Sequence, residues 1–217
     1  MGINGHVASE TARVLVVDDH SAVRSGVAAL LEGEPGLEPV GTACGAEEAL
    51  ALARQHRPDV AIVDFQLGDR DGLSLCRQLK ELPDPASVVV YSAYADGPMA
   101  LAGVIAGADG VVHKAALASE LCDAVRKVAA GGRAIPPAAP GARAVVAARL
   151  DPEDLPILAM LLDGTEPDEI ARVLGMRPKW LKARRWAMLE RLRRMPTRRN
   201  AAADPDEPDW PTGALPA

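Results

Sequence analysis

Short apolar runs alternate with amphipathic segments along the first 132 residues of the chain. Four runs are rich in Val, which predicts buried strands at 14–17, 60–63, 88–91 and 110–113, and residues 37–42 predict a weaker strand. Apolar positions at helical spacing predict a helix after each strand, at 21–33, 46–55, 72–82, 98–106 and 118–130. This alternation predicts an α/β fold with a five-stranded, doubly wound parallel sheet.

Polar side chains follow the predicted strands where each strand ends: Asp18, Asp19, Asp64, Ser92 and Lys114. Ligands of such sheets bind outside the carboxyl ends of the strands, so we expect these side chains to converge. Three carboxylates in one cleft favour a divalent cation such as Mg²⁺. A carboxylate can also act as a nucleophile and form an aspartyl-phosphate, whose charge a lysine then balances. The pattern therefore indicates phosphoryl-transfer chemistry.

Four segments in this region match a known family: RVLVVDDH (13–20), PDVAIVDFQLGDRDGL (58–73), SVVVYSA (87–93) and GADGVVHK (107–114). By these segments and their order, residues 13–132 resemble a response-regulator receiver domain, which has a flavodoxin-like fold. The resemblance implies a phosphoacceptor switch, with slow autodephosphorylation at most, rather than an enzyme.

The resemblance also implies a role for each residue at the sheet edge. Asp64 is the acceptor of a phosphoryl group from a histidine kinase. Ser92 and Lys114 sense the phosphoryl group, Lys114 by charge and Ser92 by moving toward it. The Mg²⁺ ligands are Asp19, Asp64 and the backbone carbonyl of Gln66, with help from Asp18.

Two positions depart from the family pattern. Val111 stands where the family has a rotating aromatic switch, and Ala115 stands where it often has proline. The hypothesis that follows is that output depends on backbone shifts of the 92–98 loop or is weak.

The composition changes after the predicted receiver. Residues 131–148 are rich in Pro, Gly and Ala, which predicts a tether whose Ala-rich end is compatible with a helix. Residues 172–199 carry 11 Lys and Arg against one acid, Glu190. We therefore expect a flexible N-terminus at 1–12, the receiver at 13–132, a linker at 133–149, a small all-α domain at 150–195 and a disordered acidic tail at 196–217.

The small domain is predicted to hold three helices. The first is capped by Asp151 and ends near Gly164, and Pro156 is a possible kink; the others span 167–174 and 178–194. Residues 150–192 resemble the LuxR-type helix-turn-helix of NarL/FixJ-class regulators. The matching residues are Leu150, Pro152, Leu158, Gly164, Glu169, Ile170, Ala171, Leu174, Gly175, Lys182, Leu189 and Leu192.

This second resemblance implies that the helix at 178–194 lies in the major groove of promoter DNA. The candidate DNA-binding residues are Lys179, Trp180, Lys182, Arg184 and Arg185. Trp180 and Leu181 stand where the family has Thr-Val, and Trp186 is expected at another outward position. Exposed tryptophans beside arginines also mark protein interfaces, which keeps open a C-terminal helix that binds a protein partner.

These features together predict a two-component response regulator that controls transcription. The expected partners are a sensor histidine kinase, promoter DNA and, when active, a second copy of the chain. No apolar run is long enough for a membrane span, and three scattered cysteines, Cys44, Cys76 and Cys122, suit a reducing cytoplasm. The alternatives are an adaptor, dependent on phosphorylation or not, and a small metal-dependent phosphohydrolase or transferase, which short loops disfavour.

Overall fold

The protein is described by a computed structural model over residues 11–68, 70–93, 95, 97–139 and 141–193. The expected acidic tail at 196–217 lies outside the described residues, as does the expected flexible N-terminus apart from residues 11 and 12. None of the described helices combines the length and the apolar character that a membrane-spanning segment needs.

The first part of the chain forms a five-stranded parallel sheet with helices on both faces, as predicted. The elements in chain order are β1 (Ala12–Val17), α1 (Ser21–Glu32), β2 (Leu37–Ala43), α2 (Ala46–His56), β3 (Val60–Asp64), β4 (Gln66–Leu67), β5 (Arg70–Asp71), α3 (Gly72–Lys80), β6 (Ser87–Ser92), α4 (Pro98–Ala106), β7 (Gly110–His113) and α5 (Ala118–Ala129). The sheet order is β2-β1-β3-β6-β7, while β4 and β5 form a small antiparallel ladder beside it.

Alternate residues of each strand contribute to two separate cores, because side chains along a strand point to opposite faces. Val14 and Val16 of β1 belong to the core beneath α1 and α5. Leu15 and Val17 belong to the core beneath α2, α3 and α4. All five residues of β3 are buried, which explains why the four residues before Asp64 are all apolar.

The C-terminal part of the chain is helical and packs against the α/β part, the predicted receiver. Its elements are α6 (Ala142–Ala147), a single 3₁₀ turn (Pro152–Asp154), α7 (Leu155–Leu162), α8 (Pro167–Val173) and α9 (Pro178–Arg193). Helix α4 contacts α3 on one side and α6, α7 and α9 on the other. This double cover explains why every residue of α4 from 100 to 106 is buried.

The linker differs from the predicted tether, because it is packed. The amide of Val111 in β7 donates to the carbonyl of Ala134 at 2.9 Å, and the amide of Ala134 donates to Asp109 at 2.8 Å. Further along, Ala142 and Val146 of α6 are buried. The small apolar side chains that suggested a flexible tether therefore serve as a cover for α4.

The predicted helix-turn-helix geometry lies in α8 and α9. Gly175 lies between the two helices and has φ +63°, the left-handed conformation that glycine adopts without strain. The first helix of this unit starts later than predicted: Asp151 makes no side-chain cap bond, a 3₁₀ turn intervenes, and α7 begins at Leu155. Pro156 then lies in the first turn of α7, where proline is tolerated.

Candidate functional site

Three carboxylates meet at the carboxyl edge of the sheet. Asp18 and Asp19 follow β1, and Asp64 ends β3, the neighbouring strand. Together with His20, each offers a ligand atom that lies within 4.8 Å of the others. The side chains of Asp18 and Asp64 are 3% and 7% exposed, and that of Asp19 is 29% exposed. The pocket is thus walled by two buried acids and opens to solvent at the third.

Lys114 bridges the two buried acids from the end of β7. Its Nζ lies 2.6 Å from Asp18 Oδ2 and 2.8 Å from Asp64 Oδ2. Burial alone lowers the pKa of Lys114, but its hydrogen bonds to the two carboxylates outweigh burial and raise it. Burial also raises the pKa of Asp64, and Lys114 opposes that rise. The lysine therefore holds its charge and compensates two carboxylates that would otherwise repel each other.

Asp19 is held by groups that favour its charged form. The amide of Gly68 donates to Asp19 Oδ2 at 3.0 Å, and His20 Nδ1 lies 2.6 Å from Asp19 Oδ1. Burial pushes the pKa of Asp19 upward, but these two contacts outweigh it and lower the pKa. Sequence reasoning did not single out His20, although its position directly after the acid pair was a signal.

A glycine permits the close approach of α3 to the acceptor residue. A Cβ on Gly72 would lie 1.9 Å from the carbonyl oxygen of Asp64, and the Gly72 amide donates to the Phe65 carbonyl at 2.9 Å. Asp71 caps the same helix through the amide of Leu73 at 2.8 Å. Only glycine fits this junction, and sequence reasoning did not identify it.

The remaining predicted site residues are the sensing residue Ser92, the metal ligand Gln66 and the switch position Val111. Ser92 is 2% exposed, and its carbonyl accepts the amide of Lys114 at 2.9 Å. Gln66 lies in β4, and its backbone makes a hydrogen bond with Asp64 that favours the carboxylate. Val111 is buried against α4, where a Cβ on Gly103 would lie 3.2 Å from its methyl group. Two residues of the 92–98 loop, 94 and 96, lie outside the described residues.

The donor set fits a hard divalent cation. Three carboxylates within one small pocket supply oxygen ligands, and the open side at Asp19 leaves room for the waters that Mg²⁺ retains. The carboxylates that face Lys114 keep further oxygens, so the lysine and a cation do not compete for every ligand atom.

The five predicted DNA-binding residues divide among three environments. Lys179 and Trp180 are exposed. Lys182 Nζ lies 3.0 Å from Glu81, at the end of α3, so it faces the receiver. Arg184 and Arg185 also make hydrogen bonds, each to a different part of the molecule.

Arg184 and Arg185 point into different interfaces. Arg184 Nε donates to the buried Asp154 at 2.6 Å, within the helical unit. Arg185 Nε donates to the carbonyl of Ile105 at the end of α4, at 3.0 Å. Burial lowers the pKa of Arg185. The negative C-terminal end of the α4 dipole, where Ile105 lies, favours the charged guanidinium.

Trp186 was expected to point outward, and the structure corrects this expectation. Its ring is partly buried between two guanidinium groups, with Arg77 of α3 at 4.7 Å and Arg193 at 5.1 Å from the ring centroid. Arg193 also contacts Asp71 and Ser74 of the receiver. The reason is that the side of α9 that carries Trp186 packs on the receiver. The sequence of α9 alone does not show which side is covered.

A doubly wound sheet that gathers three acids and a lysine at its carboxyl edge is the arrangement expected of a receiver domain. Residues 14–126 match the family model of the response regulator receiver domain, and the chain belongs to this family.

Longer matches define the class more closely. The chain is 32% identical over 190 residues to the response regulator GacA of Pseudomonas aeruginosa. This match covers 83% of this chain and 89% of that protein. It is 42% identical over 120 residues to the DNA-binding transcriptional activator DevR/DosR of Mycobacterium tuberculosis, over 55% of each chain. The fold resembles that of RcsB in a complex with DNA, with a TM-score of 0.57 over 84% of this chain and 92% of that one; at 22% identity this shows the fold alone. The chain is a response regulator of the NarL/FixJ class.

Proposed function

We propose that Asp64 accepts a phosphoryl group from the phosphohistidine of a sensor kinase. The observation that carries this proposal is the bridge of Lys114 between Asp18 and Asp64, the two buried acids of a pocket that opens to solvent at Asp19. An oxygen of Asp64 attacks phosphorus, the phosphorus–nitrogen bond breaks, and the histidine ring keeps the electron pair and leaves. Slow attack by water later breaks the acyl-phosphate bond and restores the carboxylate.

The residues around Asp64 have separate tasks in this scheme. Lys114 balances charge on the phosphoryl oxygens, and the Ser92 hydroxyl, buried at the end of β6, donates to one of them. Asp19, Asp64 and the Gln66 carbonyl would hold Mg²⁺, with Asp18 beside them. When bound, Mg²⁺ supplies positive charge that offsets the repulsion between the carboxylates and the incoming phosphoryl group.

The proposed output is control of transcription through α9. In the structure, the side of α9 that carries Lys182, Arg185 and Trp186 lies against the receiver. Phosphorylation adds charge at the sheet edge and favours a second arrangement in which this side of α9 is free to bind promoter DNA. We place the protein in the cytoplasm and expect the active form to be a homodimer.

One observation favours the second candidate, an adaptor whose C-terminal helices bind protein. Each candidate DNA-binding residue on the receiver side of α9 already makes a protein contact, and Trp180 is exposed beside Arg177. Loss of binding with rising salt, at a slope near the number of phosphates neutralised, separates DNA from a protein ligand.

The acceptor assignment is tested by Asp64→Asn in the full chain. A phosphohistidine donor should label the wild-type protein and the control Asp84→Asn. The exposed carboxylate of Asp84 pairs with Arg57 before the amino ends of β6 and β3, at the opposite edge of the sheet from the pocket. Labelling of Asp64→Asn should be lost while its circular dichroism is unchanged. Labelling of this variant at the wild-type rate contradicts the proposal.

A further inference from the structure

The outward side of α9 forms a groove that the receiver does not cover. Trp180 is 53% exposed. Ala183 and Ala187 follow it three and seven positions later, on the same side of the helix, and their small side chains leave a furrow. With Met176 before the helix and Arg191 in its last turn, these residues line what we call the Trp180 groove.

The groove has two basic side chains that pair with no carboxylate in the described part of the chain. The Arg177 guanidinium lies 5.5 Å from the Trp180 ring centroid, and Lys179 is exposed beside it. Neither makes an ion pair within the described ranges. The acids of the groove are already used, since Asp151 pairs with Arg191 and the buried Asp154 with Arg184. The groove therefore suits a ligand that is acidic and has apolar rings.

The last 18 residues of the chain have this chemistry. Residues 200–217 contain four acids and no base. The acids fall between 204 and 209 in the sequence DPDEPDWP, which also contains Trp210 and three prolines. Proline lowers the entropy that a chain loses when it binds in an extended form, and proline-rich segments commonly pack on exposed aromatic rings.

The tail is long enough to reach the groove. Trp180 lies about 20 Å from Arg193 along α9, at 1.5 Å per residue. The 11 residue-to-residue steps from Arg193 to Asp204 can span about 36 Å when the chain is extended. Because the tail is attached to the same chain by a short tether, its effective concentration at the groove is about 1 mM. Contacts of modest strength are therefore sufficient for the tail to bind there.

We propose that residues 204–211 bind in the Trp180 groove, with their carboxylates on Arg177 and Lys179 and their rings against Trp180. The tail is then an internal acidic ligand of the helical unit. It covers the side of α9 that the receiver leaves free, and it competes there with any other polyanion.

The test uses nuclear magnetic resonance on the full-length protein and a full-length variant with Asp204→Asn, Asp206→Asn, Glu207→Gln and Asp209→Asn. The substitutions should shift the Trp180 indole signal and the amides of 177–183, while the indole of Trp186, on the receiver side, stays in place. At about 1 M salt, where the screening length is about 3 Å, the wild-type signals should move toward those of the variant.

Charge reversal on the groove provides the matched control. In the background Arg177→Glu with Lys179→Glu, the tail substitutions should no longer shift the Trp180 indole. In the background Arg143→Glu, an exposed base on α6, they should shift it as in the wild type. The proposal is overturned if the tail substitutions leave the Trp180 indole unmoved, or if they shift other surfaces instead. Neither readout requires phosphorylation or DNA, so the result is independent of the proposed function.

Discussion

The acid pocket and helix α9 carry the two predicted sets of functional residues, and only the pocket keeps its set together. Asp18, Asp64 and Lys114 lie within hydrogen-bond distance because parallel strands end at one edge of the sheet. On α9, Lys179 faces solvent whereas Arg185 is held by the receiver. Chemistry at strand ends is thus fixed by topology, whereas chemistry on a helix depends on what packs against each side.

The acid pocket depends on the close packing of α3 against the backbone of Asp64, and Gly72→Ala should disrupt this packing. The added Cβ overlaps the Asp64 carbonyl, so we expect a loss of about 3 kcal/mol in unfolding free energy, the upper end of the cost of overpacking. Urea denaturation measures this. Gly26→Ala is the control: nothing lies within 4 Å of its Cβ in the middle of α1, and helix propensity predicts a gain of about 1 kcal/mol. Equal stability of Gly72→Ala and the wild type would refute the packing argument.

The two tryptophans of α9 separate its docked side from its free side. Trp186→Ala removes a ring held between Arg77 and Arg193, and we expect a loss of about 2 kcal/mol, less than for a fully buried tryptophan. Trp180→Ala removes an exposed ring and should change stability by less than about 0.5 kcal/mol. Urea denaturation of both variants tests the difference. Similar losses for the two would mean that α9 is not docked as described.

The smallest expected effect is a difference in thiol reactivity among the three cysteines of the folded protein. Cys44 is exposed, whereas Cys76 and Cys122 are buried. Burial raises the pKa of Cys76 to about 12, which leaves almost no thiolate at neutral pH. A thiol reagent should label one cysteine per chain in buffer and three in denaturant. Rapid labelling of Cys76 in buffer would show that the core beneath α2, α3 and α4 opens readily.

The sequence predicted the sheet and the residues of the pocket, because strand periodicity and strand ends are local signals. It did not predict the junction at Gly72, since the close contact joins residues of different elements. It also predicted a free linker and an outward Trp186. Both predictions failed for one reason: Ala134 and Trp186 are positioned by the receiver surface, and a single helix or linker sequence does not show which neighbour covers it.

The central claim is that Asp64 controls the availability of α9, and DNA affinity of the full-length protein tests it most directly. Binding to duplex DNA should be measured over a range of salt concentrations, with and without beryllofluoride and Mg²⁺. We predict that beryllofluoride tightens binding by the wild type, that Asp64→Asn shows no such change, and that affinity falls steeply with salt. Equal affinity of treated and untreated wild-type protein, at every salt concentration, would contradict the account.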